Sequence, residues 1–400
     1  MIFQSIKAGD GVRTESLKAL FWLINSGLTD VALTEEQSAV IKKNIDKIYK
    51  LSSMHSILPM VSEVLFKNKV FGSEDLEAVR FSKGQLNAVY YQERMGYEID
   101  CISRAFSESN IEFIHLKGTV IRKLYPEPFM RTSCDIDVLV KREQLDKAIE
   151  VLTEQLQYNK KTATFHDITF SSPSGVTVEL HFELIEDSFN SKAAAELKNV
   201  WDLAIPVAKG SSEKLMPNEL FMLYHISHMG KHILNGGCGI RTFIDLQLLR
   251  KNMPFDINGF DKLLKRTELL TFKNAAYALC DVWFSEAEHT DLTERLERFI
   301  VSGGVYGSAK NSFAVAKGEN IKQRSYIFKT AFLPRENLEC LYPNLKKHRW
   351  LLPFYQVKRW FKFFDKSKRK NILDTANAEK AVSSQEANSA QLLMQDLKLK

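Results

Sequence analysis

Apolar side chains recur every three or four residues over two long stretches of the chain. In the first stretch they are Leu17, Leu20, Phe21 and Ile24, and then Ile41, Ile45, Ile48 and Leu51. This spacing aligns them along one side of an α-helix. The same period returns from about residue 190 to about residue 340. We therefore predict an N-terminal helical region over 1–105 and a C-terminal helical domain over 189–343.

Between these stretches the period changes to that of β-strands. Residues 112–116 and 134–140 are predicted strands, each followed by a helix, and Pro126 and Pro128 end the first of these helices. Residues 165–170 and 176–183 are typical of a hairpin that turns at residues 171–175. The predicted fold class is therefore α+β: a small mixed β-sheet core over 106–188, flanked by helical regions on both sides.

Length and cysteine content narrow the class of protein. The chain has 400 residues, which suggests two or three domains. Residues 1–14 lack the apolar core of a secretory signal, and no apolar run approaches the roughly 18 residues of a membrane span. The five cysteines include no CxxC pair and leave an odd count, so a disulfide framework is not expected. We expect a reduced, cytoplasmic protein.

The net charge of +6 is concentrated in one segment. Residues 346–370 hold ten Lys or Arg and one Asp, a net +9, so the rest of the chain carries −3. Within a basic aromatic segment over 344–370, Phe354, Val357, Phe361 and Phe364 recur at helical spacing. Three alternatives stay open: a helix packed on the body, peripheral contact with the inner, anionic face of a membrane, and nucleic-acid binding, the least favoured. The polar residues 371–400 are predicted to be disordered.

The strand at 134–140 carries the first candidate chemistry. Alternation places Asp135 and Asp137 on one face, and Ile136, Val138 and Val140 on the other. Two carboxylates side by side on a buried strand repel each other, and a hard divalent cation would compensate them. An isolated Asp-x-Asp also occurs in many surface loops, so further residues must support this interpretation.

A third acid lies on the later strand, which alternates strictly from Val176 to Glu183. If that strand lies beside the first, Glu179 completes a three-carboxylate cluster with Asp135 and Asp137. Such a cluster suits Mg²⁺, and two ions roughly 3.5–4 Å apart would activate an attacking oxygen and neutralise a leaving pyrophosphate. Mn²⁺ is the alternative ion. An exposed polar strand face is the competing interpretation.

Candidate phosphate ligands precede the acids. Gly118 and Thr119 follow the first predicted strand and begin a helix, where backbone N–H groups bind phosphate; Lys117 adds a positive charge. Arg131 could bind a phosphate or pair with one of the carboxylates. An ordinary turn and a surface arginine are the alternatives.

Taken together, His115–Thr119, Arg131, Cys134–Val140 and Val178–His181 resemble the uncharacterised bacterial nucleotidyltransferases of the polymerase-beta-like superfamily. The resemblance implies that Gly118 and Thr119 hold the triphosphate, that Asp135 and Asp137 bind both metal ions, and that Glu179 is the third ligand. Thr119 replaces the usual Ser, the interval from Gly118 to Asp135 is longer than usual, and Glu179 stands where many relatives have Asp.

A histidine-rich helix follows the predicted sheet. His225, His228 and His232 share one face, and Arg241 and Asp245 follow. The resemblance implies that these residues, with His181, line the nucleotide or acceptor pocket. A zinc site and a partly buried polar face are the alternatives, although a fourth zinc ligand is not evident.

The resulting hypothesis is a Mg²⁺-dependent nucleotidyltransferase. It would move a nucleoside monophosphate from an NTP, such as ATP, to an acceptor hydroxyl or phosphate that the sequence does not identify. The alternative is a catalytically weak nucleotide-binding or scaffold protein that acts through its helical regions and basic segment.

Overall fold

The computed structural model describes residues 14–72, 75–164, 166–185, 189–317, 332, 335, 338, 342, 344–360 and 366–399. Its first part is helical, as the apolar spacing predicts. The helices are α1 (Glu15–Thr29), α2 (Glu35–Lys43), α3 (Ile45–Met54), α4 (Leu58–Lys67) and α5 (Leu76–Glu108). With 33 residues, α5 is about 50 Å long; its first half packs on α4 and its C-terminal half packs against the sheet.

Short elements then alternate to build the sheet. They are β1 (Phe113–His115), α6 (Lys117–Ile121), β2 (Asp135–Val140), α7 (Leu145–Glu150), β3 (Asn159–Ala163), β4 (Asp167–Ser171), β5 (Thr177–His181), α8 (Ser191–Lys198), α9 (Val200–Leu203), β6 (Ile205–Pro206) and β7 (Glu213–Leu215). The α+β class and the predicted hairpin, formed by β4 and β5, are confirmed.

The sheet has seven strands in the order β3-β4-β5-β2-β1-β7-β6. Strands β2 and β5 are parallel neighbours, and Asp137 is in register with Glu179. Strand β1 runs antiparallel to β2 on the other side. The two strands that carry the acids therefore lie side by side in the middle of the sheet.

The two faces of this sheet carry different side chains, and one face is apolar and fully buried. Ile136, Val138, Val178 and Leu180 are fully buried in a cluster with the C-terminal half of α5 and with α7. Their neighbours along the strands point the opposite way. The acidic face is thus held in place by an apolar face behind it.

The C-terminal part is again helical. Its helices are α10 (Asn218–Leu234), α11 (Ile240–Asn252), α12 (Ile257–Arg266), α13 (Leu270–Phe284), α14 (Asp291–Gly303), α15 (Ala309–Lys317), α16 (Asn344–Lys347), α17 (Leu352–Trp360), α18 (Lys366–Lys380) and α19 (Ser384–Asp396). One hydrophobic cluster joins residues of α1 to α4 with residues of α10 to α15 and α19. The predicted domain boundaries stay a prediction.

The expected disordered tail over 371–400 is wrong for its described part. Ser383 caps α19 in a capping box with Glu386, and Ala387, Ala390 and Leu393 are buried. The helix packs on α14 and α15, which supply the apolar surface that the tail alone lacks.

The basic aromatic segment is described only in part, because residues 361–365 lie outside the described ranges. Trp350 and Phe354 are exposed. Membrane contact through this segment stays a prediction. In the described part of the chain, no helix is both long enough and apolar enough to cross a membrane.

Candidate functional site

The acidic face of β2 and β5 brings three groups together at metal-ligand spacing. One ligand atom each of Asp137, Glu179 and His181 lies within 4.8 Å of the others. His181 donates from Nε2 to Oδ1 of Asp137 at 2.9 Å, and the same nitrogen lies 3.5 Å from Oε2 of Glu179. Among the described residues no other such group occurs. Two carboxylates and an imidazole suit a divalent cation.

Asp135 lies at the edge of this group and is not a member of the compact set. Burial and the charges of Asp137 and Glu179 raise the pKa of Asp135 to about 6. Repulsion between carboxylates on one strand face, expected from the sequence, is therefore present. A cation bound here would relieve it.

Asp137 is the acid whose negative charge is most strongly stabilised. Burial raises its pKa, but the adjacent Lys117 and the hydrogen bond from His181 outweigh burial and hold the pKa of Asp137 well below its usual range. Its exposed fraction is 3%. The charge of Asp137 is thus permanent and is compensated from within the protein.

Lys117 supplies that compensation from an unusual backbone position. Its Nζ lies 3.0 Å from Oδ1 of Asp137, the oxygen that also accepts from His181. The backbone φ of Lys117 is +33°, in the left-handed region that non-glycine residues seldom adopt. Strain of this kind concentrates at functional sites.

A second group surrounds Gly118. A Cβ atom built on Gly118 would lie 2.9 Å from Nη1 of Arg131 and 3.2 Å from Oγ of Ser133, so any larger residue would displace these side chains. Arg122 donates from Nε to the carbonyl oxygen of Gly118 at 2.8 Å and also donates to Ser133. Three polar side chains therefore converge on one glycine.

Two polar atoms at this group are buried without a hydrogen-bond partner. They are Oγ1 of Thr119 and Nη1 of Arg131. A buried donor or acceptor without a partner is costly, and a ligand oxygen would satisfy each of these atoms. We name Lys117, Gly118, Thr119, Arg122, Arg131 and Ser133 the cradle.

Arg131 is anchored from behind. Its Nε and Nη2 donate to the two oxygens of Asp245 at 2.9 and 2.8 Å, and Tyr125 donates to the same carboxylate at 2.7 Å. The carboxylate partner of Arg131 is therefore Asp245, and not one of the strand aspartates considered as an alternative above. Arg241 is not the partner of Asp245 but donates to the carbonyl oxygen of Thr132.

The three histidines of α10 do not act as one group. His225 Nε2 lies 3.3 Å from the carbonyl oxygen of Thr242, whereas the rings of His228 and His232 contact each other at 4.3 Å. Burial lowers the pKa of each, and Lys117 lowers that of His228 further. They form no metal-spaced group in the described ranges, so the zinc alternative has no support.

Sequence reasoning missed Arg122 and Ser133 as cradle residues, and it treated His181 as a pocket residue rather than a candidate ligand. Arg122 could have been found, because it lies four residues after Gly118 and therefore on the same helical face. His181 follows Glu179 by two residues and shares its strand face. Ser133 carries no comparable signal.

Comparison with known proteins identifies one related family. A family model described as "Uncharacterised nucleotidyltransferase" matches residues 42–285, more than half of the chain. No curated protein and no solved structure matches the chain.

Proposed function

Because this chain belongs to the uncharacterised nucleotidyltransferase family, a family of transferases, we propose that it transfers a nucleoside monophosphate from an NTP to an acceptor hydroxyl or phosphate, with release of pyrophosphate. The observation that carries this proposal is the group Asp137, Glu179 and His181, which lies next to a cradle with unpaired polar atoms. The resemblance of the motif residues to nucleotidyltransferases agrees with the match.

Nucleotidyltransferases generally use divalent metals, and the acidic face fits one. In our proposal Asp137, Glu179 and His181 would hold the ion, and Asp135, on the same strand face, would be a further ligand. Mg²⁺ is the proposed ion and Mn²⁺ the alternative, because carboxylate oxygens dominate the donor set. When bound, the ion would neutralise phosphate charge and make the acceptor oxygen a better nucleophile.

The cradle is proposed to bind the triphosphate. Nη1 of Arg131 and Oγ1 of Thr119 lack partners, and both lie at the close approach of polar side chains to Gly118. Arg122 adds a second guanidinium; burial and the nearby charge of Arg131 lower its pKa to about 10, so it stays charged at neutral pH. Two guanidinium groups at one glycine suit the charge of a leaving pyrophosphate.

Lys117 is proposed to change partners during the reaction. In the metal-free protein its ammonium group neutralises Asp137. A metal ion at Asp137 would take over that role and free Lys117 to contact the triphosphate. Asp245 holds Arg131, Arg241 holds the backbone of Thr132, and His225, His228 and His232 lie on α10. We propose that these five residues shape the pocket rather than bind metal.

The test is a pyrophosphate-release screen of four NTPs against sugar, lipid-linked phosphate, protein and RNA acceptors. We expect release with wild type and Mg²⁺, and a loss of about 100-fold or more in Asp137→Asn, because one metal ligand supplies several kcal/mol of charge stabilisation. Asp146→Asn is the matched control, because Asp146 is an exposed acid of α7 behind the opposite sheet face.

Calorimetry with Mg²⁺ and NTP complements the screen. Nucleotide binding without pyrophosphate release for any acceptor would favour the nucleotide-binding or scaffold alternative. Unchanged Mg²⁺-dependent binding in Asp137→Asn would refute the proposed metal site.

A further inference from the structure

The outward face of α5 carries an apolar stripe that the described chain leaves uncovered. Leu76, Val79, Leu86, Tyr90 and Tyr97 are between 65% and 83% exposed. Monomeric proteins seldom leave contiguous apolar surface of this kind in water. The opposite side of α5 is occupied, because its first half packs on α4 and its C-terminal half packs on the sheet.

The spacing of the stripe is that of a coiled coil. With Lys83 and Glu93 included, its positions are 76, 79, 83, 86, 90, 93 and 97, which alternate by three and four residues over three heptads. All seven residues are exposed. Sustained heptads with apolar residues at the two seam positions are typical of helices that pair with another helix.

We propose that a second copy of this chain covers the stripe, with two α5 helices packed antiparallel about a two-fold axis level with residue 88. The seam consists of two series of positions seven residues apart, one that begins at 76 and one that begins at 79. In such a pair, each position of the first series on one helix faces a position of the second series on the other. Lys83 then faces Glu93 of the second copy, Leu86 faces Tyr90, and Val79 faces Tyr97. A two-fold pairing is self-complementary, so each contact occurs twice.

Charge selects this register over its neighbours. A shift by one heptad in one direction sets Leu76 against Glu93 and Leu86 against Lys83. A shift in the other direction sets Val79 against Arg104 and Tyr90 against Glu93. Each shift creates two kinds of contact between a charged and an apolar side chain. The register centred on residue 88 leaves one, Leu76 against Asp100, and pairs the charges of Lys83 and Glu93 with each other.

A shallow groove lies beside the stripe, between α4 and the first half of α5. Its volume is about 500 Å³, and it is lined in part by Phe66, Val79 and Leu86. The tyrosines of the second copy face Val79 and Leu86 and therefore enter this groove. The flanking cation Arg80 is already paired with Asp46 of its own chain at 2.6 Å.

The test is sedimentation equilibrium of the full chain with charge-reversal variants. We expect wild type to sediment at about twice its 45.9 kDa chain mass. Lys83→Glu or Glu93→Lys alone should raise the dimer dissociation constant about tenfold or more, because each sets like charges face to face. The double variant Lys83→Glu/Glu93→Lys should restore dimerisation.

Glu108→Lys is the matched control, because it makes the same reversal on α5 beyond the paired region. Leu86→Asp tests the apolar contact and should also dissociate the dimer. Circular dichroism shows whether each variant is folded. A monomeric wild type, a dimer that neither single reversal weakens, or a double variant that stays dissociated would each overturn the proposal.

Discussion

The acidic face of the sheet depends on one oxygen, Oδ1 of Asp137, which accepts from both Lys117 and His181. A metal ion that approaches this oxygen competes with an ammonium group that is already in place. Desolvation makes that competition strong, because Asp137 is almost fully buried. Lys117 is therefore both a stabiliser of the metal-free state and an obstacle to the metal.

We expect Lys117→Met to separate these two roles. Loss of the ammonium should lower the free energy of unfolding of the metal-free protein by about 2–3 kcal/mol, less than for a fully broken buried pair because His181 remains. The same variant should bind Mg²⁺ more tightly in the absence of nucleotide. Urea unfolding and calorimetry measure the two effects.

Lys123→Met is the control for that experiment, since Lys123 is an exposed lysine just beyond α6. Equal or weaker Mg²⁺ binding by Lys117→Met than by wild type would contradict the idea that Lys117 competes with the metal.

His55 gives the fold a defined sensitivity to acid. Its Nε2 donates to the carbonyl oxygen of Val301 at 3.2 Å, and its Nδ1 accepts from the backbone N–H of Ile240 at 3.2 Å. Burial lowers the pKa of His55 to about 4. The neutral ring therefore joins α3, α11 and α14, and a proton on Nδ1 would break one of these bonds.

The unfolded chain protonates His55 near pH 6.5, before the folded protein does, so stability is complete above that pH and falls toward pH 4. We expect the free energy of unfolding to lose up to about 1.4 kcal/mol per pH unit through this group. His55→Gln should show a shallower loss in urea titrations at pH 7, 6 and 5. His348→Gln, at an exposed position, should match wild type; a variant slope as steep as that of wild type would argue against His55.

At the scale of elements, alternation along a strand was enough to predict which side chains share a face. Val176, Val178 and Leu180 are buried and Glu179 faces the other way, as predicted. The pairing of β5 with β2 could only be assumed, because parallel partners are joined by a long connection and local sequence carries no register.

The same limit explains why the partner of Arg131 could not be predicted. Its partner Asp245 is 114 residues away in sequence, on α11. Nothing in the local pattern favours Asp245 over the nearby aspartates. The bidentate contact arises only when the C-terminal helices pack behind the cradle.

This buried pair allows a quantitative test. Arg131 and Asp245 are 6% and 2% exposed, so Asp245→Leu leaves a guanidinium without its partner in the interior. We expect a loss of about 3–5 kcal/mol in the free energy of unfolding. The double variant Arg131→Met/Asp245→Leu should regain much of that loss while losing activity, because it removes the cradle donor. Urea unfolding measures the first effect and pyrophosphate release the second.

Recovery of stability without recovery of activity would assign Arg131 a role in ligand binding beyond packing. If the double variant were as unstable as Asp245→Leu, the ion pair would not be the cause of the loss. Retained activity in the double variant would contradict the proposed contact between Arg131 and the triphosphate.

At the scale of the whole molecule, the polar composition of residues 371–400 gave a wrong prediction of disorder, because packing against other helices orders part of this segment. Residues 371–400 are polar and lack aromatics, yet Met394 and Leu397 are buried against the helical core. A cap and a few small or apolar residues suffice for a helix when other helices supply the surface. The helical regions were predicted from their own periodicity, but their common core depends on contacts between the two ends of the chain.

The internal pairing of Lys117 with Asp137 also bears on how the protein survives metal scarcity. Zinc fingers unfold when a chelator removes their ion, because the free energy of metal binding supplies their folding free energy. In this protein the ammonium group of Lys117 supplies the counter-charge to Asp137. We expect EDTA to change the melting temperature of wild type little, and Lys117→Met to gain more thermal stability from added Mg²⁺ than wild type does. Without magnesium, the protein would then be inactive but still folded.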